Sequence, residues 1–109
     1  VLSALFHEYA RADFPRAKEG IAVCRSLKDP RSRLPCIEGL SGAFMKYGEP
    51  NVEHMKGLQF CNLNILSEDE QTACFWHILS RLRLWYSQEK TNQICQSVPE
   101  QFQAFCPNY

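Results

Sequence analysis

Six cysteines, Cys24, Cys36, Cys61, Cys74, Cys95 and Cys106, fall into three pairs with 11, 12 and 10 residues between partners. An even count at this density in a chain of 109 residues reads as a disulfide framework, and therefore as a protein of an oxidising compartment. Cysteine count alone leaves many pairings open. A helix-start signal inside each pair narrows them. Asp29-Pro30 lies inside the first pair, combining a capping residue with a proline preset for a first helical turn. Ser67-Glu68-Asp69-Glu70, inside the second, has the form of a capping box. Ser97-Val98-Pro99-Glu100, inside the third, offers both devices. Each pair thus brackets one helix end and one helix start. An antiparallel hairpin brings two such sulfurs together where Cα atoms come within about 7 Å. The spacing predicts bridges 24–36, 61–74 and 95–106.

The pairs also repeat. Gly20-Ile21-Ala22-Val23-Cys24 is echoed by Gly57-Leu58-Gln59-Phe60-Cys61, and more faintly by Ile94-Cys95. First cysteines are 37 and 34 residues apart and second cysteines 38 and 32, a period typical of stacked helical hairpins. Apolar residues recur at helical spacing in the segments between. Ala17, Ile21, Cys24 and Leu27 mark a helix over 16–28; Leu34, Ile37, Leu40, Phe44 and Tyr47 mark one over 31–47. Val52, Met55, Leu58 and Cys61 mark a helix over 51–64. Residues 68–87 carry two stripes, Cys74, Ile78, Leu82 and Trp85 beside Phe75, Leu79 and Tyr86, so a single long helix buried on two sides is expected there. Shorter helices are expected over 89–97 and 99–105.

The fold class expected is all-α, a single domain of about seven helices stacked as a solenoid, with one disulfide inside each hairpin. Residues 1–14 would form a capping helix, 15–48 the first hairpin, 49–88 the second and 89–109 a short third. Tandem stapled hairpins of this period, carried by the six cysteines with Gly20, Gly39 and Gly57, resemble the secreted cysteine-rich Sel1-like repeat proteins of bacteria, relatives of tetratricopeptide repeats. That resemblance implies a surface for binding partners.

Charge excludes some functions. Lys plus Arg and Asp plus Glu are 12 each, so no net field draws the chain to nucleic acid. No apolar run approaches the roughly 20 residues of a membrane-spanning helix. Val1 opens the chain without a signal-peptide pattern, so any leader is expected to have been removed, and export is read from the cysteines.

Reactive-site motifs are absent. His7, His54 and His77 fall at non-equivalent repeat positions without the i, i+4 pairing of a zincin helix, and no CxxC knuckle suggests zinc, so neither a metal site nor a cofactor is expected. No nucleophile elbow or comparable motif supports an enzyme. The densest cluster of hot-spot residue types is Trp76, Arg81, Arg83, Trp85 and Tyr86, the candidate binding surface. Val1, Leu2, Leu5 and Phe6 at one end, with Phe102 and Phe105 at the other, are expected to leave apolar faces open to self-assembly. The reading that follows is a non-catalytic module, secreted, periplasmic or in another oxidising compartment, working through protein partners or self-assembly. The alternative is a small-molecule or lipid carrier with a cavity lined by Phe44, Phe75, Trp76 and Leu79.

Overall fold

Side-chain caps mark three of the element starts, at Asp29, Ser67 and Ser87. The computed structural model describes residues 14–46 and 48–107, with side chains from residue 17 onward. Within them the chain forms five α-helices and three 3-10 segments and no strand. Helix α1 (Phe14–Arg25) ends in a loop, where the Asp29 carboxylate accepts the Arg31 N–H at 3.0 Å and starts a 3-10 turn over Pro30–Ser32. That turn runs directly into α2 (Arg33–Lys46). Pro35 sits in the first turn of α2, where its missing N–H leaves no bond unmade.

Where the first hairpin ends, the backbone passes so close at Gly48 that a Cβ there would lie 2.8 Å from the Phe44 carbonyl oxygen and 2.9 Å from Glu53 Cα. Asn51 follows with φ 71°, a left-handed conformation that asparagine tolerates better than most residues. Helix α3 spans Glu53–Cys61. Helix α4 (Glu68–Leu79) begins with a complete capping box between Ser67 and Glu70, and α5 (Gln88–Ser97) with the Ser87 hydroxyl accepting the Lys90 N–H. The chain closes in a 3-10 segment, Glu100–Phe105.

Three bridges hold the hairpins: Cys24–Cys36, Cys61–Cys74 and Cys95–Cys106, with Cα separations of 5.4, 5.4 and 6.3 Å. Helix α2 packs on α1, α3 and α4, so the first hairpin meets the second mainly through α2; α4 in turn meets the C-terminal 3-10 segment. The core is Ile21, Ile37, Leu40, Phe44, Phe60, Phe75, Ile78, Leu79 and Leu82, each at most 1% exposed. Phe44 stacks on Phe60 with ring centroids 5.0 Å apart. Gly57 permits the close approach of α3: a Cβ there would stand 2.8 Å from Ile78 Cδ1 and 3.6 Å from Met45 Cγ.

Several expectations need correction. The single helix over 68–87 stops at Leu79 and gives way to a 3-10 turn over Leu82–Leu84. At the break the Arg81 backbone N–H turns to the Ile78 carbonyl, and its Nη1 donates to the His77 carbonyl at 3.1 Å, satisfying a last-turn oxygen that a continuing helix would bond from the Arg81 backbone. Residues 100–105 are 3-10 and not α-helical. Leu34 and Met55, expected on core faces, are 38% and 50% exposed. Phe102, expected on an open end face, is buried against Phe75 with centroids 4.3 Å apart, and Phe105 is half-buried beside it. His7, Tyr47 and the expected capping helix over 1–14, apart from Phe14, lie outside the described residues, as do Val1, Leu2, Leu5 and Phe6.

Candidate functional site

Two polar clusters fix the frame on which the surface is carried. The first joins the hairpins. Arg25, in the last turn of α1, places Nε 3.0 Å and Nη2 2.6 Å from the two Glu70 oxygens, and the same Nη2 donates to the Ile65 carbonyl at 2.7 Å. Glu70 also accepts the Ser67 N–H at 2.8 Å, while the Ser67 hydroxyl accepts the Glu70 N–H at 3.2 Å. The Arg25 hydrogen bonds outweigh burial and hold the Glu70 carboxyl below the usual carboxylate range; Arg25 itself is raised by the same bonds. A fork-on-fork pair of this kind fixes geometry as well as charge. Sequence reading found the capping box but not its distant partner.

The second cluster ties the end of hairpin two to its beginning. The Tyr86 hydroxyl donates to Glu53 Oε1 at 2.7 Å and accepts the His54 backbone N–H at 3.1 Å. His54 Nδ1 lies 3.3 Å from the same oxygen, and with the phenol proton directed to Glu53, that nitrogen is placed to donate. Lys90 stands over the Tyr86 ring, 4.7 Å from its centroid, and donates to the Asn51 carbonyl. Burial, aided by Glu53, pushes the Tyr86 phenol up to about 12. Burial and Lys90 hold His54 below its ordinary value. Burial would raise Glu53, but the bond from Tyr86 and backbone N–H groups turn the net direction downward.

Of the five candidate surface residues, the structure brings three together. Arg81 lies over the Trp76 ring at 5.4 Å from its centroid, and Arg81 and Trp85 share the lining of one cleft. Trp76 and Trp85 are 44% and 42% exposed and Leu84, next to Trp85, is 76% exposed. Arg83 is exposed on the same 3-10 turn. Tyr86 does not join them, being engaged with Glu53 and His54. The face exists because α4 ends early: Leu82 alone of the turn is buried, and its neighbours are left outward.

The cleft beside this face has a volume of about 120 Å³ and is lined by Gly42, Met45, His77, Ile78, Arg81 and Trp85. Gly42 lets α2 lie against the imidazole, since a Cβ there would stand 3.0 Å from His77 Nε2. On the other side of the ring, Nδ1 is buried 3.5 Å from Glu38 Oε2 without forming a hydrogen bond. Burial and Arg81 lower the His77 pKa against the opposing pull of Glu38, so the imidazole is neutral near pH 7. Two further clefts flank α3. One of about 170 Å³ is lined in part by Leu58, Phe75 and Val98; the other, of about 200 Å³, by Val52, Glu53 and Met55; and Gln59 borders both.

Phe44, Phe75 and Leu79, proposed above as carrier-cavity residues, are core side chains at most 1% exposed, whereas Trp76 is on the surface. Among the described residues no group of three or more His, Cys, Asp and Glu is placed to hold a metal ion, and no helix is long and apolar enough to cross a membrane. The three disulfides fit an oxidising compartment. No protein-family model, curated protein or solved structure matches the chain.

Proposed function

We propose that the chain is a non-catalytic protein-interaction module, secreted or periplasmic, built of stapled hairpins in the manner of Sel1-like and tetratricopeptide repeats. The observation that carries this reading is the pair of half-exposed indoles, Trp76 and Trp85, flanking Arg81 on a turn. Trp and Arg dominate binding hot spots because they cover large areas and keep a polar handle. A rigid frame favours such use, since less side-chain freedom is lost on binding. Here the turn is held by the Arg81 cap at one end and the Tyr86 hydroxyl at the other.

The carrier reading has less support, because Phe44, Phe75, Trp76 and Leu79 share none of the three clefts described above, Phe75 alone bordering one. The test is a photo-crosslinking amino acid at position 84, with position 28 on the far hairpin tip as control, exposed to extracellular fluid or periplasmic extract of the source organism. A discrete heterologous adduct at 84, lost in a Trp76→Ser/Trp85→Ser variant and absent at 28, is expected. Equal labelling from both positions, or none from 84, overturns the reading.

A further inference from the structure

We propose that the cleft beside Trp85 is a one-residue socket, taking an apolar side chain from a partner protein while a neighbouring partner carboxylate pairs with Arg81. This rests on the interaction reading above and specifies its partner as an acidic, apolar segment.

Size gives the first constraint. At about 120 Å³ the cleft has room for about four waters, the scale of one aliphatic side chain and well below the roughly 300 Å³ and more of small-molecule sites. Its walls agree: Met45, Ile78 and the Trp85 ring are apolar, and Gly42 leaves its wall without a side chain.

Charge gives the second constraint. His77 is neutral near pH 7, and Glu38 faces its Nδ1. Among the described residues, Arg81 is therefore the one full charge lining the cleft. Its Nη1 is committed to the His77 carbonyl and the Ser80 hydroxyl, at 3.1 and 3.2 Å. Among the described residues, Nε and Nη2 have no protein acceptor. The guanidinium is held over Trp76 with two donor groups available, a geometry suited to a planar carboxylate.

The experiment is an amide and indole NMR titration of the intact, disulfide-bonded chain. The probe is the peptide acetyl-Asp-Leu-Glu-Leu-Asp-amide, compared with its Asn/Gln isostere and with a version carrying Ala for both Leu. Saturable shifts at the Gly42 amide and the Trp85 indole are expected, with the acidic peptide binding about fivefold more tightly than the isostere and the Ala version failing to saturate. Arg81→Gln should bring the acidic and neutral peptides to equal affinity; Arg81→Lys, which retains charge but not the fork, should recover part of the preference. Equal binding of acidic and neutral peptides by the unaltered chain, or shifts that avoid Gly42, overturns the socket. In that case a position-84 adduct would leave the broader interaction reading standing, whereas loss of both would remove the two together.

Discussion

Cutting the link between hairpins one and two should reveal how far the disulfides leave hairpin packing to side chains. Arg25→Ala removes two charge-assisted bonds to Glu70 and one to the Ile65 carbonyl. Such bonds contribute about 1.5–3 kcal/mol each when buried, but the Arg25 side chain is 47% exposed, so solvent screening reduces the loss to about 1–2 kcal/mol in total. Glu70→Ala also destroys the capping box, adding about 1 kcal/mol. The double variant should exceed Glu70→Ala alone only by the loss of the Arg25–Ile65 bond, giving a coupling energy of about 1 kcal/mol near pH 7. Urea unfolding with all bridges intact measures it, and equal m-values across the four proteins validate the comparison. The pH dependence has a definite sign. Glu70 is held below its unfolded value, so its stabilisation is fully present above about pH 4.5 and is lost as pH falls through the lower folded value. Coupling near zero at neutral pH, or coupling unchanged at about pH 2, would refute the assignment.

Three further outcomes follow from the same geometry. Gly57→Ala should destabilise by about 1 kcal/mol, the clash with buried Ile78 Cδ1 exceeding the gain in helix propensity; Ile78→Val in the same chain should make the alanine neutral or stabilising relative to Ile78→Val alone by thermal unfolding. Tyr86→Phe should cost about 1–2 kcal/mol by leaving the Glu53 carboxylate and His54 N–H without their partner, and the phenolate absorbance lost in this variant should titrate near 12 in the parent. Under limiting reductant, Cys95–Cys106, whose two residues are half-buried, should open before Cys24–Cys36 and Cys61–Cys74, as read by stepwise alkylation and mass.

Local chemistry was the legible part of this fold. Asp29 and Ser67 act within a few residues and the cysteine pairs within 11 to 13, and each marks a boundary or bridge in the structure. Long-range ties were not legible. Arg25 and Glu70 are 45 residues apart, and nothing near Arg25 distinguishes it from a solvated helix-end cation. The early end of α4 was hidden because Leu82, Trp85 and Tyr86 continue a helical stripe; the Arg81 bond to the His77 carbonyl and the Tyr86 bond to Glu53 accompany the break. Ser87, a good N-cap four residues before Thr91, was the available signal. Residue type alone gathered Trp76, Arg81, Arg83, Trp85 and Tyr86 into one surface; the broken helix turns Tyr86 toward α3 and leaves the two indoles with Arg81. Phe102 reads as an open end face only while its stacking on Phe75 is unknown.

The Trp76–Arg81–Trp85 face rests on each hairpin being closed by its own bridge, since that closure positions α2 and α4 around it. The direct measurement is non-reducing peptide mapping of the natively isolated chain after thiol blocking. Three linkages, 24–36, 61–74 and 95–106, with no blocked cysteine, are expected. Blocked thiols, or a bridge joining cysteines of different hairpins, would contradict the stapled-hairpin architecture and the interaction surface built on it.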